Sequence, residues 1–257
     1  MTKGIRTVIA LAALWGTLAA VSHLHPANAQ SASTELPILK PPASGVVNVA
    51  FIVSDQTALI DLAGPWEVFG DTMLAPQGGP WRGGGDMIMP FKLYSVSDSR
   101  NPISVGGLQV VPTYTFENAP KPQVIVVPAQ GGRSEAQRRW LLESARTADL
   151  TMSVCTGASM LAAYGLLDHR RATTHHMFVD GMQRKYSAVK FVTGLRYVDN
   201  GRVATAGGLS SGIDLALHVV ERYYGREIAQ TTADYMEYSG ERWKNPQYGA
   251  VQYVAGR

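Results

Sequence analysis

The chain has a single cysteine among 257 residues, Cys155, so no intrachain disulfide can form. One cysteine and scattered histidines also make no ligand set at zinc spacing; no metal and no organic cofactor is implied. Charge of either sign is sparse, with 23 Lys and Arg against 20 Asp and Glu. No stripe of Lys and Arg with interleaved aromatics occurs, and "RGGGD" at 82–86 is one basic residue in a glycine-rich loop, so a nucleic-acid partner is not indicated. Long hydrophobic runs are missing too. The longest, at 8–21, is too short to span a bilayer comfortably. No internal repeat is apparent.

What is present begins with "MTKGIRTVIALAALWGTLAAVSHLHPANAQ": Lys3 and Arg6, the apolar run, then Ala27-Asn28-Ala29. This pattern predicts a signal peptide over 1–29, cleaved near Ala29, and hence an exported protein, periplasmic or secreted, with no stable membrane insertion; an uncleaved anchor is the alternative. Loss of Lys3 and Arg6 lowers the net charge from +3 to about +1. The Pro- and Ser-rich stretch at 30–45 reads as a linker, 46–238 as one domain, and 239–257 as a tail without clear period.

Strand and helix signals alternate along the domain. "VVNVAFIV" at 46–53 and "QVIVVPA" at 123–129 are continuous apolar runs, as expected of strands buried on both faces. Between them, Pro65 suits the first turn of a helix that buries Trp66 and Phe69. "FKLYSVS" alternates, and "LQVVPTYTF" at 108–116 reads as a strand or strand pair broken at Pro112. Ser134 is a plausible cap for a charged helix over 134–146. A strand at 149–154 then leads into Cys155 and a helix over 157–167. A helix near 178–186, a hairpin turning at Asn200-Gly201, and helices over 210–236 complete the pattern. The sum predicts an α/β fold, a doubly wound, mostly parallel sheet flanked by helices.

That layout places Cys155 at the carboxyl edge of the sheet, where open α/β folds bind ligands. The positive end of the following helix is expected to lower the thiol pKa, and Gly157 to permit a nucleophile elbow. The Thr156 backbone N–H would face an oxyanion forming there, a donor worth roughly 3 kcal/mol. The bland alternative is a packed core thiol.

The segments "ALIDLAGPWEVF", "VIVVPAQGG", "SVCTGASMLAAYGLLDHRRATTHH" and "VATAGGLSSGIDLALHVVERYYG" resemble the ThiJ/PfpI superfamily, with its class I glutamine amidotransferase-like, flavodoxin-like sandwich. Within it they are most similar to the isonitrile hydratase branch, and the likeness covers about 46–238. It implies a cofactor-independent lyase with Cys155 as nucleophile, Asp61 as acid/base partner and Thr156 in support. It further implies Ala129, Gln130, Gly131 and His175 around the substrate or oxyanion, a small-molecule substrate, and a homodimer. Helix capping is the alternative for Asp61, and a cap is also the favoured role for Asp214; Glu67 reads as an exposed or interface residue, and of the pair His175 and His176 only one can line the pocket.

Two departures from the superfamily are visible. Thr156 stands where the peptidase members carry histidine, and Pro128-Ala129-Gln130-Gly131-Gly132 replaces their Pro-Gly-Gly turn. Three functions therefore stay open: a hydratase, a non-catalytic ligand-binding domain like the front domain of helix-turn-helix regulators, and a redox-sensing thiol.

Overall fold

A computed structural model describes residues 36–245. The signal-peptide expectation and the end of the tail lie outside those residues. The chain runs through strand β1 (Val47–Ile52), helix α1 (Leu59–Gly70), strands β2 (Phe91–Ser97), β3 (Ile103–Val105), β4 (Leu108–Val110), β5 (Tyr114–Thr115) and β6 (Val124–Val127), and helix α2 (Glu135–Thr147). Then come β7 (Leu150–Ser153), α3 (Ala158–Ala163), β8 (Arg171–Ala172), α4 (Val179–Lys185), β9 (Lys190–Phe191), β10 (Tyr197–Asp199), β11 (Val203–Ala206), α5 (Ser211–Tyr224) and α6 (Arg226–Tyr235).

Seven strands form the main sheet in the order β10-β11-β7-β6-β1-β2-β5, and every pairing is parallel except β10 with β11. The continuous apolar runs are explained by this position. Val47, Val49 and Phe51 of β1 face a core shared with α1, α5 and α6, while Ala50 and Ile52 face a second core shared with α2, α3 and α4. Strand order reverses between β1 and β6, so the crevice beyond the carboxyl ends of β1, β6 and β7 is the expected ligand position.

Several boundaries differ from the sequence expectation. Helix α1 begins at Leu59, so Pro65 lies inside it rather than in its first turn. A turn closed by the Thr57 hydroxyl on the Ser54 carbonyl (2.7 Å) starts the helix early. Pro65 withholds an N–H from the helix ladder but packs against α5: a Cβ on Gly212 would lie 3.2 Å from Pro65 Cγ, and one on Gly64 would lie 2.9 Å from Ile213 Cγ1. The run at 108–116 is a pair of strands, β4 in a hairpin with β3 and β5 on the main sheet. The helix after Cys155 is shorter than the run 157–167, because Cys155–Gly157 forms a 3-10 turn and Gly165 takes φ +77°. The capping role of Ser134 holds, since its Oγ accepts from Gln137 N–H at 3.0 Å.

Packing reaches beyond 46–238 at both ends. Leu39 is buried and its N–H donates to the Arg222 carbonyl, while Arg222 Nη2 donates to the Pro37 carbonyl. Trp243 is fully buried, and its carbonyl accepts from the Tyr197 hydroxyl at 2.7 Å.

Candidate functional site

Cys155 stands one residue beyond β7, after Val154, and adopts φ +56°, a left-handed conformation that costs a non-glycine residue about 1–3 kcal/mol. The conformation is held from both sides. Cys155 N–H donates to the Gly207 carbonyl at 2.8 Å, and the Thr174 hydroxyl donates to the Cys155 carbonyl at 2.9 Å. Gly157 is required because a Cβ there would stand 2.1 Å from the Val127 carbonyl oxygen. This is the strained elbow expected from strand, glycine and helix. The residue is 7% exposed.

Asp61 is the third residue of α1 and has no exposed surface. It is not the cap, because Ala58 holds that position; its carboxyl instead turns inward, where Oδ2 accepts from Ala129 N–H at 3.2 Å and the Cys155 thiol hydrogen-bonds the group. Oδ1 is buried without a protein partner in good hydrogen-bond geometry. Burial pushes the Asp61 carboxyl up to about 6, against the lowering effect of Ala129 N–H and the thiol.

The expectation of a low thiol pKa is overturned. Burial, and then the Asp61 charge, push Cys155 up to about 11, although Thr156 N–H, Leu209 N–H and the Thr156 hydroxyl all favour the anion. The physical reason is that the helix beyond the thiol is only Ala158–Ala163 after a 3-10 turn, too short a dipole to offset desolvation. At neutral pH the pair therefore rests as a thiol beside a carboxylate.

The turn after β6 is spent on building the site. Ala129 N–H is taken by Asp61, so it is not a free oxyanion donor as the resemblance implied. The Gln130 side chain is pinned under the turn, donating to the Ile52 carbonyl at 3.0 Å and accepting from Gln137 Nε2 at 3.3 Å. Gly131 N–H donates to the Asp55 carbonyl, and a Cβ there would press on Gln56 Oε1 at 2.9 Å. These residues brace the loop after β1 against the elbow. Thr156 does sit where expected, with both its N–H and its hydroxyl on the sulfur.

His175 lines a cavity of about 240 Å³ on the flank of Cys155, bounded also by Thr174, Gly207 and Leu209, each of which hydrogen-bonds Cys155 or neighbours a residue that does. His175 Nδ1 accepts from Met177 N–H at 3.3 Å, and its pKa is lowered by burial and by His176, against which it stacks. His176 borders the same cavity, so both histidines line it. Asp214 is no cap. It is fully buried, bound to Arg196 Nε at 2.6 Å and to the Tyr238 hydroxyl at 3.0 Å. Glu67 is exposed.

Sequence reasoning missed Leu209 and Arg196. Leu209 carries φ +54°, unusual for a leucine, and its N–H reaches the sulfur. The only signal in the chain was the flanking "GGLSSG", readable as a turn but not as a donor. Among the described residues no group of three or more His, Cys, Asp or Glu is placed to hold a metal ion.

Comparison with known proteins bears on the family and the fold. The profile of the DJ-1/PfpI family matches residues 47–222. Isonitrile hydratase from Pseudomonas putida is 31% identical over 199 residues, 75% of this chain and 79% of that protein. The HTH-type transcriptional regulator GbdR of Pseudomonas aeruginosa is 30% identical over 154 residues, 58% of this chain but 41% of the regulator. Among solved structures, a ThiJ/PfpI family protein from Pseudomonas syringae superposes with TM-score 0.64 at 24% identity, covering 86% of this chain and 84% of that one. Drosophila melanogaster DJ-1beta gives 0.63 at 15% identity, covering 76% and 100%. Both structural likenesses are of fold.

Proposed function

The chain belongs to the DJ-1/PfpI family, and from that membership and the Cys155–Asp61 pair we propose a cysteine-dependent enzyme that adds water to an isonitrile to give an N-substituted formamide. The observation that carries the reading is the burial of Asp61 against a strained, hydrogen-bonded thiol. A carboxylate with a pKa near 6 beside a protonated thiol is a general base awaiting an electrophile. As sulfur attacks the terminal isonitrile carbon, the S–H proton passes to Asp61, which then delivers it to that carbon and leaves a thioimidate. Water adds to the thioimidate, the C–S bond breaks, and formamide departs while the thiol is restored. Thr156 N–H and Leu209 N–H stabilise the sulfur as it gains charge. No redox change occurs in this sequence.

The protein is exported and works as a homodimer in this proposal. The export reading rests on the amino-terminal pattern. The dimer reading is supported by exposed Leu59, Ile60, Leu108 and Val111, with the β3–β4 hairpin packed on the start of α1 through Gly106 and Leu59.

A ligand-binding role without turnover is the second reading, and the similarity to the regulators favours it. A redox sensor is disfavoured, because sensor cysteines are exposed and low in pKa, and Cys155 is neither. The test is incubation of the mature protein with cyclohexyl isonitrile and detection of N-cyclohexylformamide. Turnover that disappears in Cys155→Ala and falls at least about a hundredfold in Asp61→Asn supports the enzyme; product from neither the wild type nor the variants leaves the binding role.

A further inference from the structure

Leu209 brings its N–H to the sulfur of Cys155 from a left-handed conformation that a leucine adopts only under constraint. Its own side chain supplies little of that constraint, being half exposed, and its neighbours are Gly207, Gly208 and Ser210. Arg196 grips the segment on either side of Leu209. Its carbonyl accepts from Gly207 N–H at 2.8 Å, and the Gly207 carbonyl accepts from Cys155 N–H at 2.8 Å. Its Nη2 donates to Ser210 Oγ at 3.2 Å. Ser210 stands at the cap position of α5, yet its side chain makes no capping bond; the hydroxyl serves Arg196 instead.

The guanidinium is fixed in its turn. Nε donates to Asp214 Oδ2 at 2.6 Å, and Asp214 is fully buried in the first turn of α5. The Tyr238 hydroxyl donates to Asp214 Oδ1 at 3.0 Å and hydrogen-bonds the Arg196 side chain as well. A planar fork serves Asp214 and Ser210 at once with its geometry set, which a single ammonium on a flexible stem does not. We propose that Arg196 and Asp214 are positioning residues, which act through Ser210 to hold Leu209 in its left-handed conformation and keep its N–H on the sulfur. The placement of that N–H follows from these bonds alone, whereas its effect on turnover rests on the hydratase reading. Sulfur gains charge as its proton leaves for Asp61, so a donor that drifts away costs rate in the chemical step and leaves substrate binding nearly unchanged. A pair that merely tied α5 to the residue before β10 would alter stability and leave the Leu209 amide in place.

The experiment uses Ser210→Ala, which removes only the hydroxyl, and Arg196→Lys, which keeps a cation beside buried Asp214 so that the fold survives. Proton–nitrogen NMR of mature protein carrying nitrogen-labelled leucine follows the Leu209 amide, with Cys155→Ala giving its position when the sulfur is gone. In both variants the amide proton is expected to move toward its position in Cys155→Ala. With cyclohexyl isonitrile, kcat is expected to fall about tenfold in each variant while KM stays within about twofold. The double variant is expected to lose no more than Arg196→Lys alone, as two residues acting through one bond require. A Leu209 amide unmoved in both variants overturns the proposal whether or not the protein is a hydratase. A displaced amide with unchanged kcat, or a loss confined to KM, overturns the positioning role in turnover while leaving the hydratase intact. If the wild type turns over no isonitrile, the hydratase reading fails by itself, and the amide shift alone sustains or rejects the hold on Leu209.

Discussion

Asp61 has two measurable consequences. Its folded pKa of about 6 lies above the ordinary value of 3.8, so its contribution to stability is fully present below pH 4 and is lost as pH rises through 6. A shift of that size amounts to about 3 kcal/mol at neutral pH. Asp61→Asn keeps an acceptor for Ala129 N–H and removes the charge. It is therefore expected to be more stable than the wild type by up to about 3 kcal/mol at pH 7.5 and equal to it near pH 3.5, as chemical denaturation at the two pH values would register. The same residue sets the pH profile. Reaction through an ionised Asp61 and a protonated thiol predicts kcat/KM rising through about pH 6 and declining only as pH approaches about 11, with the ascending limb lost in Asp61→Asn. A profile rising through pH 8–9 would mean a conventional free thiolate and would contradict the pair. Cys155 was legible in the chain because strand, elbow glycine and resemblance converged on it, whereas Asp61 was legible only through the resemblance. The raised thiol pKa was not, because the thiol's surroundings come from segments far apart in the chain, Asp61 and Leu209 among them.

Between elements, the site depends on close approaches that only glycine permits. Gly157 lets the elbow pass against β6, and Gly212 lets α5 sit on Pro65 and Val154. Gly157→Ala is expected to lose more than about 3 kcal/mol or fail to fold, since the obstacle at 2.1 Å is backbone that cannot yield without moving a central strand. Gly212→Ala is expected to cost only about 1–2 kcal/mol, because its nearest obstacles, at 3.0 and 3.2 Å, are side chains. Thermal unfolding of the pair gives the order, and a Gly157→Ala protein as stable as Gly212→Ala would refute the geometry. Pattern reading found the central strands because burial on both faces leaves an unbroken apolar run. It misplaced the start of α1 because Pro65 is at home in a first turn and here is accepted mid-helix by contact with α5. The resemblance, for its part, placed Ala129 around the substrate or oxyanion, because a sequence does not show that an N–H is already engaged by a carboxylate 68 positions away.

On the scale of the whole molecule, the exposed apolar residues Leu59, Ile60, Leu108 and Val111 are those on which the dimer proposal stands. Leu108→Lys is expected to shift the mature protein from dimer to monomer in sedimentation velocity, and a wild type that sediments as a monomer at micromolar concentration would end that reading. The doubly wound architecture followed from alternating signals alone. The packing of the segments at 36–39 and 243–244 did not, since neither carries a period.

Those two segments have a topological meaning. Pro37 and Lys244 border a single cavity beside Arg222, so the two ends of the described residues arrive at one corner. The stretch 36–245 is thereby almost a closed loop, and a short graft joining the corner would free new ends to be opened at an exposed stretch such as the glycine-rich 82–86, with the order of the seven strands across the sheet unchanged.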